Sequence, residues 1–264
     1  MEQKHKTVKV EELTNHILLI TLNRPEASNA FNTLMAEELT ELFEDLTLNP
    51  NDRRVLILTG SGDRAFCAGG DLKERNGMTD AQWVKQHLVY EKMARTIIEC
   101  PIPTIGAING AAYGGGCELV AMLDFVYISE NAKFAQTEVK LGIIPGAGGT
   151  QTLARAVGER RAKEIILTGK TFNAIQAYEW GLANAVFPIS ELIPAALETA
   201  KLIAKNAPIA VRQAKQSIHK GLQMSLSDGM SFEIEAYNRT VPTKDRSEGV
   251  AAFNEKRPPN FKGH

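Results

Sequence analysis

Two short apolar runs rich in β-branched residues, "HILLITLNRP" at 16–25 and "RRVLILTG" at 53–60, are each closed by Pro or Gly and read as strands. Between them, in "NTLMAEELTELFEDLTLN", Leu34, Leu39, Leu42, Phe43 and Leu46 recur at helical spacing, so this part of the chain predicts strand, helix, strand. "TIGAIN", "DFVYIS" and "KFAQTEV" supply further strands, and the first 150 residues predict an α/β layer structure. Beyond that point the β signal fades. "GTQTLARAVGERRAKEIILTG", "SELIPAALETAKLIAKNAP", "APIAVRQAKQSIHKGL" and "SLSDGMSFEIEAYNRTVP" carry apolar residues three and four apart, with Gly or Pro near their ends. The tail adds one short helix before Pro258 and Pro259, and "RNGMTDAQWVKQ" at 75–86 reads as a loop. The pattern thus predicts an α/β body and a helical C-terminal portion packed on it or on a neighbouring subunit, without a linker or internal sequence repeats.

Composition narrows the function classes. The chain has 264 residues, 44% hydrophobic and 23% charged, enough for a substantial core. With 30 Lys and Arg against 31 Asp and Glu, the net charge of −1 argues against nucleic acid or an anionic membrane as main partner. No apolar run reaches the roughly 18 residues a membrane span requires. The start, "MEQKHKTVKVEELTNH", lacks the apolar core of a secretory signal and the Arg-rich character of a transit peptide. Cys67, Cys100 and Cys117 form no paired spacing, so a reducing cytoplasm is the expected location.

Several familiar sites are absent. A phosphate-binding loop ending at Gly169 and Lys170 would need glycine at position 164, which is glutamate. There is no GxGxxG after the first strand, no GxSxG elbow and no HExxH, and the five histidines are scattered. No metal and no separate cofactor is therefore expected.

Three glycine-bearing segments remain: "AFCAGGDLKER" (65–75), "NGAAYGGGCEL" (109–119) and "LGIIPGAGGTQ" (141–151). Each alone is adequately read as a turn. Together they offer backbone amides to a ligand, and an amide at a helix start has no intrahelical partner and carries the positive end of the dipole. Glu118 follows the second segment and Glu138 precedes the third, both in largely apolar surroundings where a carboxylate is costly without a task or partner. Two amide donors and two carboxylates suit proton transfer next to a carbonyl: the donors hold an enolate oxygen while the acids move protons. Cys117 has no histidine base positioned by sequence and reads as packing.

At these residues the sequence closely resembles the crotonase family, the enoyl-CoA hydratase/isomerase superfamily. "FCAGGDLKER", "INGAAYGGGCEL" and "LGIIPGAGGTQ" match its three signature regions in order and spacing, and the match runs from "LNRPEASNAFN" to "KDRSEGVAAFNEKRPPNFKG". The resemblance implies an α/β fold built as a spiral of ββα units with a helical C-terminal trimerisation region. The expected division is a core at 1–195 holding the CoA-binding and catalytic site, and a helical region at 196–264.

It further implies that the thioester carbonyl of a coenzyme A substrate lies between the amides of Gly70 and Gly115, and that Glu118 and Glu138 fill the two catalytic positions of the hydratases. Water would add across a trans-2-enoyl-CoA, with Glu118 activating the water and Glu138 delivering the proton to Cα, or with these roles shared or reversed. Ala68, Gly69, Asp71, Leu72 and Gly114 would contact substrate. Phe253 and Lys256 would reach the adenine and phosphate end from an adjacent subunit of a trimer or dimer of trimers; by themselves these two read as a core aromatic and a solvated lysine.

There are departures. Gly70 stands where Ala is common, which should loosen the loop; Glu26 removes a possible phosphate contact; Leu123 replaces a small residue and alters packing behind the helix. "GDLKER", "VPTKDRSEG" and "EKRPPNFKG" resemble the methylglutaconyl-CoA hydratases of leucine breakdown, some of which bind AU-rich RNA, so that substrate is an alternative to short straight chains. An enoyl-CoA isomerase is disfavoured because isomerases generally manage with the later acid alone. An RNA-binding protein is the alternative from a different class, but "RRAK" (160–163) and "EKRPP" are too small as basic clusters.

Overall fold

The structure, a computed structural model, describes residues 5–264. The leaderless start expected above rests partly on residues 1–4, which lie outside the described residues. In chain order the elements are β1 (Val8–Thr14), β2 (Ile17–Leu22), α1 (Thr33–Leu48), β3 (Val55–Gly60), β4 (Ala65–Cys67), α2 (Leu72–Arg75) and α3 (Asp80–Glu99). Then follow β5 (Thr104–Ile108), β6 (Ala111–Tyr113), α4 (Gly115–Met122), β7 (Phe125–Ser129), β8 (Lys133–Ala135), a 3-10 turn at Glu138–Leu141, α5 (Gly149–Val157) and α6 (Glu159–Thr168). The chain ends with β9 (Phe172–Asn173), α7 (Ala174–Glu179), β10 (Ala185–Phe187), α8 (Ile189–Ala204), α9 (Pro208–Gly221), α10 (Leu226–Asn238) and α11 (Lys244–Glu255).

The strands form two sheets. The larger runs β1-β2-β3-β5-β7-β10 and is parallel except for the β1/β2 pair; the smaller runs β4-β6-β8-β9 and is parallel except at β9. Successive units place one strand in each sheet and then a helix: β3-β4-α2, β5-β6-α4 and β7-β8-α5. Because β3, β5 and β7 are neighbours in one sheet, and β4, β6 and β8 in the other, the chain climbs as a spiral of ββα units. The repeat is one of topology, with no repeat in the sequence.

Alternation along the central strands separates two cores. Every residue of β3 is buried. Leu56 and Leu58 join Ile20, Phe43, Met93 and Ile97 of the larger core beneath α1 and α3, while Val55 and Ile57 turn to the opposite face. There they meet Leu192, Ala196, Ala200 and Ala204 of α8, which recur every four residues and form one buried stripe. Small residues let α8 lie close to the sheet. Residue 195, the expected junction, therefore falls within a continuous helix. α9, α10 and α11 follow it with few buried positions and expose Ile218, Leu222, Leu226, Met230, Ile234 and Phe253. No described helix is long and apolar enough to cross a membrane.

Four local expectations are corrected. β9 and β10 lie in the stretch expected to be helical; at two and three residues they are too short to show a period. The segment read as one helix at 149–169 breaks at Gly158, whose φ of 79° belongs to the left-handed region, giving α5 and α6. "KFAQTEV" is strand only over Lys133–Ala135. The loop expected at 75–86 contains the start of α3, announced by a capping box in which Thr79 and Gln82 exchange side-chain and backbone hydrogen bonds. Its buried face, Gln86, Tyr90, Met93, Ala94 and Ile97, has helical spacing, but the polar Gln86 opens it.

Candidate active site

Each glycine of "GGG" answers a different steric demand. Gly114 has φ 51° and ψ −123°, which a side chain rarely adopts, and a Cβ there would also stand 3.1 Å from Glu138 Oε1. At Gly115 a Cβ would run into the Phe31 ring, coming within 2.7 Å of Cε1 and closer still to Cζ. At Gly116 it would strike the backbone carbonyl of Cys67 on β4. Gly116 thus serves the packing of α4 on the small sheet and does not face a ligand.

This close packing delivers two amides to one place. Gly115 is the first residue of α4, so its N–H has no intrahelical partner. Gly70 forms a parallel bridge with Phe31 whose bonds use its neighbours: Phe31 N–H donates to Gly69 O at 2.9 Å and Asp71 N–H to Phe31 O at 2.9 Å. The N–H of Gly70 is left for the other side, where Gly70 and Gly115 both line a cavity of about 950 Å³. The loop is pinned on both flanks of Gly70, contrary to the expectation that glycine loosens it. A methyl at Gly70 would meet Tyr90 at 3.6 Å and Phe31 at 3.9 Å, both ordinary contacts.

Glu118 and Glu138 line the same cavity, with 3% and 8% of their surface exposed. Glu118 ends the first turn of α4, and its Oε1 accepts hydrogen bonds from Ala147 N–H at 2.8 Å and Gly149 N–H at 2.7 Å. Gly149 opens α5, so the positive ends of two helices converge here, one facing the cavity and one on Glu118. A Cβ at Gly149 would sit 2.7 Å from Glu118 Cγ, so this approach also requires glycine. Burial raises the Glu118 pKa above the usual carboxylate range, and the amides of Gly149, Ala147 and Gly146 oppose that rise. Glu138 opens the 3-10 turn; burial lifts it to about 7, its own backbone amide opposes the rise, and the Glu118 charge adds to it. With its amide oriented to satisfy its neighbours, Gln136 donates to Glu138 Oε1 and Oε2 at 3.3 and 3.2 Å and to Gly114 O at 3.0 Å.

Of the other expected contact residues, Ala68, Gly69, Leu72 and Gly114 line this cavity. Asp71 does not. Its carboxylate caps α2 by accepting from the amides of Lys73 and Glu74, and pairs with Arg24 Nη2 at 2.9 Å. Phe253 and Lys256 lie at the end of α11, outside the lining of the cavity, and Phe253 is 83% exposed. Leu123 packs over Gly106 of β5, where a Cβ would come within 2.8 Å of its Cδ1. Glu26 is exposed. Cys117 is fully buried and burial pushes its thiol up, while Cys67 is raised to about 12, so neither is a ready nucleophile. Among the described residues no group of three His, Cys, Asp or Glu is placed to hold a metal ion.

The 75–86 segment, expected as a loop that shapes the acyl pocket, supplies part of the cavity wall as the end of α2 and the start of α3. Arg75, Trp83, Val84, His87 and Tyr90 face the cavity from α2 and α3, and Leu141 and Ile144 flank it from the loop before α5. Val84, Leu88, Leu141 and Ile144 are each at least half exposed, an apolar mouth on a polar-ended cavity. The Thr79–Gln82 capping pattern was the available signal for this wall.

The sequence model of the enoyl-CoA hydratase/isomerase family matches residues 12–264. YngF of Bacillus subtilis, provisionally named an enoyl-CoA hydratase/isomerase, is 46% identical over 97% of both chains. The short-chain-enoyl-CoA hydratase of Clostridium acetobutylicum is 40% identical over 93% of this chain and 94% of its own. The crystal structure of an enoyl-CoA hydratase from Bacillus anthracis superposes with a TM-score of 0.95 at 44% identity, covering 98% of this chain and all of that one.

Proposed function

The chain belongs to the enoyl-CoA hydratase/isomerase family, and we propose that it adds water across the 2,3 double bond of a trans-2-enoyl-CoA to give a 3-hydroxyacyl-CoA. The observation that carries this reading is the meeting of two buried carboxylates with two unpaired glycine amides in one cavity. The thioester oxygen lies between Gly70 and Gly115 N–H. Glu118 takes a proton from water as the water oxygen bonds to C3; the π pair moves toward the thioester as an enolate held by the amides, and Glu138 donates a proton to C2. A double-bond shift alone needs one proton carrier, and the deliberate seating of Glu118 on two amides favours hydration over isomerisation.

The test follows loss of the conjugated enone of crotonyl-CoA, a longer enoyl-CoA and 3-methylglutaconyl-CoA. Turnover of none of them would sink the proposal. An acid must hold its proton to give it, so kcat/KM should fall as pH rises through about 7, where Glu138 ionises. A rate that stays flat well above that point would remove Glu138 from the role of acid. The same proton affects stability. A carboxyl whose folded pKa lies above its unfolded value stabilises the fold most below the unfolded pKa, and that contribution declines as pH rises through about 7.

The reading also gives the C-terminal helices an oligomeric role, as a trimer or dimer of trimers. It is supported by the exposed Ile218, Leu222, Met230 and Ile234 on α9 and α10, and by Phe253 and Lys256 lying apart from their own chain's cavity. A cytoplasmic location belongs with it, supported by three free, buried cysteines. Light scattering should return three or six times the chain mass, and a monomer would refute the oligomer.

A further inference from the structure

Trp83, His87 and Tyr90 lie four and then three residues apart on α3, so they share one face of the helix, and all three line the cavity. Two of them are committed to the oxyanion side. The Tyr90 hydroxyl donates to Phe31 O at 3.2 Å, beside the Phe31–Gly70 bridge, and Trp83 and Tyr90 both pack on the Arg75 guanidinium. His87 goes elsewhere. A Cβ at Gly146 would stand 2.9 Å from His87 Nε2 and closer still to Cε1, so the imidazole is packed directly on the Gly146 backbone. Among the described residues its nitrogens form no hydrogen bond, and the contact is one of shape.

Gly146 belongs to the seat of Glu118. The next amide, Ala147 N–H, donates to Glu118 Oε1 at 2.8 Å, and Gly149 N–H does so at 2.7 Å. Little else holds this stretch. Ile143 N–H ahead of it is tied to Glu138 O at 3.2 Å, but Ile144 is 69% exposed and joins neither core. A loop with so few buried contacts opens at low cost, and its amides hold a carboxylate only while the backbone stays in place. The His87 ring is the stop on that movement. Through Tyr90 and His87, one helix thus steadies both the loop that carries an oxyanion donor and the loop that seats Glu118.

Resting on the hydratase reading, we propose that His87 is a positioning residue whose ring wedges α3 against Gly146, keeps the Ala147 and Gly149 amides on Glu118, and so fixes the reach from this base to a thioester held at Gly70 and Gly115. The ring acts through its volume and takes no part in proton transfer. What it protects is distance, because a displacement near 1 Å between reacting groups can cost about 100-fold in rate.

The experiment follows hydration of crotonyl-CoA, across the pH range in which the carboxyls titrate, by the wild type, His87→Ala, His87→Phe, Gly146→Ala and the double variant of the two alanines. His87→Ala should lower kcat by about tenfold to 100-fold while KM stays within a few-fold. Glu118 must be ionised to accept a proton, and its amide partners oppose the rise that burial imposes on its pKa. Loosening them should therefore move the acid limb of kcat/KM to higher pH, by about one pH unit. The other titratable groups facing the cavity, Arg75, Tyr90 and Glu138, are unchanged in every variant. His87→Phe keeps a ring that cannot carry a proton, and it should return kcat to within a few-fold and the limb to its wild-type position. Gly146→Ala drives a methyl into the ring, so it should cost less in the His87→Ala background than alone.

A wild-type rate in His87→Ala would overturn the proposal, and so would a loss of kcat with the acid limb unmoved, which would leave Glu118 properly seated. A His87→Phe enzyme as poor as His87→Ala would overturn it by assigning the imidazole nitrogens to the chemistry, and this comparison with the wild type decides the matter even if His87→Ala does not fold. A wild type that hydrates no enoyl-CoA would instead defeat the hydratase reading beneath it.

Discussion

Glu138→Gln and Glu118→Gln are each expected to lower kcat for hydration by roughly 100-fold to 10,000-fold, the range for loss of a positioned acid or base. Gln keeps the shape and one acceptor oxygen of each side chain but cannot carry the proton. At Glu118 the acceptor is what the Ala147 and Gly149 amides require, so the loop before α5 should hold its place and CoA-ester binding should survive. The melting temperature provides the second readout. Glu138 is held where its ionised form is disfavoured, so above pH 7 Glu138→Gln should melt at or above the wild-type temperature. A variant that is inactive because it unfolds would show the opposite. Near-normal turnover in either variant would sink the two-carboxylate mechanism.

Gly115→Ala is expected to cost about 100-fold or more in kcat, the loss typical of one oxyanion donor. The methyl would be driven into Phe31, and Phe31 has little freedom to yield. It is 2% exposed, its ring meets Tyr90 edge-on at 4.8 Å, and its backbone bonds both Gly69 and Asp71 around Gly70. A push on Phe31 therefore moves the Gly70 donor as well as the helix start that carries the Gly115 donor. Overpacking of this kind also lowers stability, by about 1–3 kcal/mol. Gly70→Ala is the internal control: its methyl finds ordinary contact distances and its amide is retained, so activity should stay within a few-fold. Steady-state kinetics with crotonyl-CoA and a thermal melt separate the two cases, and a fully active Gly115→Ala enzyme would remove Phe31 as the coupling element.

These expectations depend on contacts of very different legibility. β2, α1, β3, β5 and β7 could be read along the chain because a buried strand or an amphipathic helix repeats its apolar residues over several positions. The second sheet was harder to read. β4, β6, β8 and β9 have two or three residues each, below the length at which alternation can be told from chance. α3 was missed for another reason: its inward face mixes Gln86 with apolar residues because it serves a polar cavity as well as the core. Asp71 was assigned to substrate by its place in a motif, whereas its carboxylate is used up by the α2 cap and Arg24.

The sequence by itself determined which residues could carry the chemistry: Glu118 directly after a glycine helix start, Glu138 twenty residues later, and Gly70 in a separate glycine segment. It determined that an acid in an apolar run must have a use. Tertiary structure alone decided why three glycines stand in a row: the fold sets the backbone angle at Gly114, and the Phe31 ring against Gly115 and the Cys67 carbonyl against Gly116 come from two distant parts of the chain. It also decided that Glu118 is anchored by the start of α5 and that Arg75 faces the cavity with no described carboxylate paired to it. The physical reason is range. Periodicity and helix-end chemistry act between residues a few positions apart, whereas burial, steric exclusion and the pairing of charges depend on what the fold brings within a few ångströms.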